Sequence, residues 1–423
     1  MVSTILNSFR VAEIRKKLLF TAVILALYRL GSFIPVPGIN TKAVDQIQSN
    51  FGGGGVLNLL NTFSGGGLSR IAIFALGIMP YITASIILQL LTVVSPALEK
   101  LQKEGEVGQA RITQYTRYLT VGLAAAQAIG YTFLFRSQGS AAGTPVFSNF
   151  NAGTVILVVL CLTAGSIVVM WMGELITQRG IGNGISLMIF ASIVSRLPGG
   201  VRDWWTSPDA VFKIIMPFLA VGVVAAVVFI QEGQRRIPIQ YAKRVIGRRM
   251  SSGGQTYLPL RVNMAGVIPV IFAASIMAFP PTIGQLVPGL NGLATFLAPG
   301  RWAYVVGETL MIIIFTYFYT AVTFNPVDQA DNLRKYGGFI PGVRPGRPTA
   351  EFLDRILARL TFPGALYLAA VAALPTIIIA STGASNTFRF GGTSLLIVVG
   401  VALDTMKQLE AQLMMRNYEG FLK

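Results

Sequence analysis

The sequence predicts an all-α integral membrane protein with ten transmembrane helices, and three observations lead there. Apolar residues make up 53% of the chain, charged residues only 12%, and the mean hydropathy is +0.63. A soluble domain of 423 residues could not cover that much apolar surface. Runs close to the ~20 apolar residues needed to cross the hydrocarbon recur ten times. The loops between them alternate in positive charge, as a polytopic chain requires.

The first run, residues 18–34, follows the basic stretch "MVSTILNSFRVAEIRKK" as the apolar core of a signal peptide would. It passes into "RLGSFIPVPG" with no small-residue cleavage site, so it is read as a retained span. The second, 71–94, stands directly behind "LLNTFSGGGLSR", a stretch too short to cross a bilayer. Spans three to six fall at 117–136, 154–173, 183–197 and 211–230, the fifth being short. Spans seven to ten fall at 263–280, 303–324, 362–380 and 392–410. Segments on the N-terminal side (around 1–17, 95–117, 174–182, 231–262, 325–361 and 403–423) hold 25 Lys and Arg against 8 on the other side, with Arg29 inside the first span. Positive loops stay cytoplasmic, so both termini are expected there. A missed helix would invert everything after it and erase the bias.

Two spans resemble each other. "GIMPYITASI" from Gly77 and "GVIPVIFAASI" from Gly266 align Gly77 with Gly266, Pro80 with Pro269 and Ile82 with Ile271. Gly and Pro are common in membrane helices, and chance is the alternative. Proline inside a helix removes a hydrogen bond and bends it, so a shared bend is expected. The halves are then 1–200, with spans one to five, and 201–423, with spans six to ten. Five is odd, so the second half enters from the opposite face. Such an inverted repeat places a functional site near the midplane between the halves.

The chain contains no histidine, which removes the commonest general base and metal ligand. No catalytic residues, metal site or cofactor are expected. The lone Cys161 lies in an apolar run and is read as a small buried hydrophobe. "RGIGNG" at 179–184 follows a membrane helix rather than a strand, so it reads as a tight turn and not a phosphate loop. An ion-coupled secondary transporter with inverted repeats is the alternative function. Such proteins carry midplane ionisable groups, and the span interiors here are nearly free of charge. Arg29 is the main exception and reads as snorkelling or structurally paired; Glu174 and Asp404 lie at cytoplasmic ends. The net charge of +17 and pI of 10.2 suit contact with anionic lipid, nucleic acid or an acidic partner. Loops 231–262 and 325–361 mix basic residues with Tyr, Pro and Gly, a surface for phosphate-rich RNA or an acidic protein face. A purely topological role for their charge is the alternative.

Seven blocks carry a resemblance over nearly the whole chain: "FSGGGLSR" with the span behind it, "EGEVGQARITQYTRYL", "MGELITQRGIGNGISL", "GQRRIPIQYAKR", "LPLRVNMAGVIPVIFAASI", "FNPVDQADNLRKYGGFIPGVRPGRPTAEFLDRI" and "FGGTSLLIVVGVALD". They resemble the bacterial SecY family (SecY/Sec61-alpha), the channel subunit of the Sec protein translocon in the plasma membrane. The loops "FGGGG", "RSQGSAAGTP" and "TIGQLVPGLNGLATFLAPG" do not carry it. The resemblance implies two pseudo-symmetric inverted halves around a central hourglass pore. Such a channel passes unfolded secretory polypeptides across the membrane and releases transmembrane segments laterally into lipid.

The resemblance also implies site residues. A short plug helix, about residues 56–70, would fold into the outer funnel through Leu57, Asn58, Leu59, Leu60 and Phe63, with Gly65, Gly66 and Gly67 as a flexible hinge. A constricting ring falls on Ile78, Ile82, Ile185, Ile189, Ile271 and Ile397. Apolar rings block ions by dewetting, although an Ile pair at i, i+4 read alone is ordinary packing. A lateral gate between spans two and three and spans seven and eight would be sealed by Thr83, Gln127 and Asn263, with Phe279 beyond. Gln127 and Asn263 read equally as interhelical glue, and each hydrogen bond across such a seam is worth ~1 kcal/mol. Arg235, Arg236, Lys243, Arg244, Arg344 and Arg347 would dock the motor ATPase SecA or the rRNA of a translating ribosome. Implied partners further include SecE, SecG, signal peptides and nascent secretory chains.

Overall fold

The computed structural model describes residues 11–40, 43, 61–141, 145–147, 150–206, 210–241, 245–246, 249–250, 255–286, 291–298, 301–382 and 392–421. Each of the ten expected spans contains a helix. Span one is α1 (Ala12–Gly31), span two α2 (Met79–Val94), and a 99° bend at Ser95 turns the chain into α3 (Pro96–Lys103). Spans three and four are α4 (Glu106–Ala141) and α5 (Ala152–Arg179). Span five is α6 (Gly184–Val194), continued by α7 (Leu197–Thr206), and span six is α8 (Ala210–Glu232). Span seven is α9 (Ile268–Leu286), with the short α10 (Asn291–Phe296) behind it. Span eight is α11 (Trp302–Thr323), followed by α12 (Pro326–Lys335); spans nine and ten are α13 (Arg347–Thr382) and α14 (Gly392–Phe421).

Five described helices are long and apolar enough to cross a bilayer, six if α2 and α3 count as one bent span. Large apolar side chains stay exposed along α1 (Leu19, Val23, Leu27) and α8 (Phe218, Val221, Phe229), the surface a bilayer covers. The chain is a multi-pass membrane protein.

Spans two and seven correct the expected boundaries. Residues 71–78 and 263–267 are apolar enough for a span yet form turns, and α2 and α9 begin only at Met79 and Ile268. Gly77 (φ +56°) and Gly266 (φ +63°) both adopt the left-handed conformation just ahead of the helix. Non-helical backbone at this depth survives because protein buries it: most of 71–78 is inaccessible to solvent. Pro80 and Pro269 each occupy the second position of their helix, where the N–H has no carbonyl to meet. The expected bend is therefore absent, and the shared prolines start their helices. The two segments still match, position for position, in how glycine turns the chain and proline opens the helix.

Backbone approaches fix α5 in the core. A Cβ on Gly165 would lie 2.0 Å from the Ile73 carbonyl, and one on Gly184 would lie 1.9 Å from the Gly173 carbonyl. The stretch 180–183 is the expected tight turn, with Gly182 at φ +82°. Asn183 caps α6 by accepting from the backbone N–H groups of Ile185 and Ser186. Cys161 is half-exposed on α5 rather than buried.

Outside the helical body stands a small sheet that the sequence reading did not anticipate. Strand β1 (Gln234–Tyr241) pairs antiparallel with β4 (Gln255–Arg261) in the register Ile237 to Leu258, and with β5 (Gly338–Phe339) through Gln240 and Phe339. Strands β2 (Val245–Ile246) and β3 (Arg249–Met250) pair antiparallel as a separate two-stranded sheet. Ile237 and Leu260 pack with Phe324, Ile340 and the α13 residues Leu353, Ile356 and Leu357 in a core of their own. Loops 231–262 and 325–361, read as separate, form one platform.

Candidate functional site

The chain ahead of α2 is a compact, buried knot. Asn61 Oδ1 accepts from Ser69 N (3.0 Å), Ser64 Oγ accepts from Leu68 N (3.1 Å), and Asn61 O accepts from Gly66 N (2.8 Å). Gly65 and Gly66 are left-handed, and a Cβ on Gly67 would meet the Phe74 carbonyl at 3.2 Å. The three glycines thus serve a tight packed turn, which corrects the expected flexible hinge. Two arginines hold the knot from outside. Arg29 of α1 donates to the Gly65 carbonyl, and Arg196 donates to Thr62 Oγ1 at 2.8 Å. Arg29 and Arg70 both lie over the Phe33 ring, 4.6 and 4.1 Å from its centroid. Phe63 is buried here; Leu57, Asn58, Leu59 and Leu60 lie outside the described residues.

The knot packs against Gly77, the residue before Ile78: a Cβ on Gly77 would sit 3.3 Å from Ser64 Cα. Beyond Gly77, Ile82, Ile185, Ile189 and Ile271 line a single cavity of about 160 Å³ with Tyr81, Phe272 and Tyr319. Ile78 joins from the side, since a Cβ on Gly173 would meet Ile78 Cδ1 at 3.3 Å and Ile185 Cγ1 at 3.6 Å. Four of the six expected residues line this cavity, and Ile78 is buried beside it without lining it. Ile397 on α14 is fully buried in the same core but does not line this cavity.

A second cavity, about 470 Å³, adjoins the first and shares Asn183, Ser186, Ile268 and Tyr319 with it. Its remaining wall is mixed, with Gln231, Arg261, Asn263, Asp404 and Lys407 set among Met264, Val267 and Val401, and it lies beside the end of β4. A roomier chamber with charged and amide groups in its wall therefore adjoins a narrower one in which four isoleucines meet.

The SecY family model matches residues 72–406. The chain belongs to the SecY family. Protein translocase subunit SecY of Streptomyces galbus is 50% identical over 450 residues, and that of Mycobacterium tuberculosis is 47% identical over 441; both alignments cover all of each chain. Among solved structures, a protein-conducting channel superimposes with a TM-score of 0.65 at 21% identity, covering 93% of this chain and 91% of that one. Sec61 in the canine ribosome-channel complex from the endoplasmic reticulum gives 0.61 at 20% identity, with the same coverage. The ion-coupled transporter finds no support in these relationships.

In this SecY-family chain a crevice of about 220 Å³ runs between α2, α4 and α9, lined by Thr83, Gln127, Tyr131, Ser275 and Phe279. Three of the four expected gate residues meet there. Asn263 does not: the Gly266 turn diverts the chain, and Asn263 Nδ2 donates to the Gly266 carbonyl (2.9 Å) on the wall of the roomier chamber. The expected cross-seam hydrogen bonds are also replaced. Thr83 donates to Met79 O in its own helix (3.0 Å) and Ser275 to Ile271 O in its own (2.7 Å). The contact across the seam is from Ser275 Oγ to Met79 Sδ at 4.0 Å.

On the platform, Arg235, Arg236, Arg344 and Arg347 are exposed, Arg347 pairing with Glu351 at 3.2 Å; Lys243 and Arg244 lie outside the described residues. Sequence reasoning missed Glu308, a carboxylate only 9% exposed within α11. It also missed the partners of Glu174, which accepts two bonds from Arg117 at 3.0 and 2.7 Å. A lone acid inside an apolar run was the available signal for the first.

Proposed function

We propose that this chain is the protein-conducting subunit of a Sec translocase, passing unfolded secretory polypeptides across the membrane and releasing transmembrane segments sideways into lipid. The observation that carries the reading is the roomier chamber adjoining a narrow one in which four isoleucines meet, with a buried knot packed against Gly77 behind them. A ring of alkyl groups sheds water and so stops ions, yet it makes no strong bond that a passing chain must break. The crevice between α2, α4 and α9 is apolar and only weakly bonded across, as a seam that admits a signal helix must be.

The chain would sit in the bacterial plasma membrane with both termini cytoplasmic, since 25 of its basic residues fall on that side. The platform would dock SecA or the ribosome through Arg235, Arg236, Lys243, Arg244, Arg344 and Arg347. SecE and SecG would complete the complex, and anionic lipid would suit its positive charge. It needs no catalytic residues of its own; the docked partner supplies the energy. The test is crosslinking of a stalled secretory chain to probes at positions 82 and 271 in membranes. Adducts at both positions are expected, and adducts at neither would overturn the reading.

A further inference from the structure

The crevice between α2, α4 and α9 is held by little that crosses it. Thr83 and Ser275 bond within their own helices, and the contact across is Ser275 Oγ to Met79 Sδ at 4.0 Å. On α4 the hydroxyls of Thr113, Thr116, Thr120 and Thr132 also bond within the helix. Arg117 is different. Its Nε and Nη2 donate to the two carboxylate oxygens of Glu174 on α5 at 3.0 and 2.7 Å, and its Nη1 donates to Gln114 at 3.1 Å. A two-pronged pair fixes direction as well as distance. The Glu174 side chain is only 12% exposed, so water competes weakly for it. The helix it belongs to is itself seated on backbone, since a Cβ on Gly165 would lie 2.0 Å from the Ile73 carbonyl. The polar tie that seats α4 therefore lies behind the crevice, not across it.

We infer that Arg117 and Glu174 are positioning residues of the lateral gate: they bolt α4 to α5 and so set how apolar a segment must be to leave through the crevice. This rests on the function proposed above and deepens it. About 15 Å along the same helix from Arg117, Gln127 lines the crevice, with Leu123, Ala126 and Tyr131 beside it. A segment passing into lipid must push α4 and α9 apart. The work done against the seat of α4 is offset by the apolar surface that the segment takes out of water. A firm seat demands a more apolar segment, and a loose seat admits a less apolar one.

The test uses the complete translocase in proteoliposomes and a secretory protein that carries a test segment of graded leucine content. Protease protection separates segments released into lipid from segments carried through. At the composition that divides evenly in the parent, Arg117→Gln and Glu174→Gln should each raise the ratio of released to translocated segment about fivefold. Arg117→Lys, which keeps the charge and loses the fork, should fall between. The exchanged pair, Arg117→Glu with Glu174→Arg, should return the ratio toward that of the parent. A ratio unmoved in both single variants would overturn the role even if their thermal midpoints fall, because a merely structural pair lowers stability without moving the ratio. An exchange that restores the midpoint but not the ratio would overturn it too. Crosslinking of the released segment to probes at positions 83 and 279 in the parent separates the two readings. Adducts there with an unmoved ratio would leave the crevice standing as the exit and remove only the bolt; adducts at neither would remove the exit and the proposal with it.

Discussion

Ile82 and Ile271 are the residues at which the two half-chain repeats meet, one on α2 and one on α9, in a single cavity with Ile185 and Ile189. A ring of such side chains would keep that space dry. Replacing both with Asn should wet it and let ions leak through the resting protein, seen as raised conductance in planar bilayers; an unchanged baseline would remove the ring. Gly165 offers a purely structural counterpart. Ala there would force a methyl group to 2.0 Å from the Ile73 carbonyl, and backbone cannot yield cheaply. We expect a loss of about 1–3 kcal/mol, read as a lower thermal midpoint in detergent. The ring positions were legible in the sequence only through resemblance, because isoleucine in a membrane helix is ordinarily packing.

At the scale of elements, the apolar runs announced helices well, because a bilayer demands ~20 apolar residues of any helix that crosses it. The same rule misplaced the starts of α2 and α9. Residues 71–78 satisfy hydropathy, yet the protein and not lipid surrounds them, so they were free to turn at Gly77. The strands were missed for a different reason. "RRIPIQY" alternates buried Ile237 and Ile239 with Arg236, Pro238 and Gln240, but the density of positive charge and the proline favour a loop. The knot at 61–70 is the element with most at stake. Arg29→Gln together with Arg196→Gln should release Gly65 and Thr62 from their donors. Amide hydrogen exchange across 61–70 should quicken while α5 stays protected; unaltered exchange would mean that the arginines do not hold the segment.

The whole molecule couples a basic platform to a buried conduit. Pairing of β1 with β5 joins two loops nearly a hundred residues apart in sequence, so their arginines act as one surface. Arg344→Glu reverses an exposed charge just ahead of α13. It should abolish motor-driven export while insertion and folding stay normal, and near-normal translocation in vesicles would remove Arg344 from the docking surface.

The platform and the bilayer are bridged by α13, which runs unbroken for 36 residues from Arg347 to Thr382. At 1.5 Å per residue that is a strut about 54 Å long. Its first turns are bolted to the sheet through Leu353, Ile356 and Leu357, so the height of any docked engine above the conduit is set by a count of amino acids. One extra residue in the strut would swivel the platform by about 100°, whereas seven would restore its heading and lift it by about 10 Å.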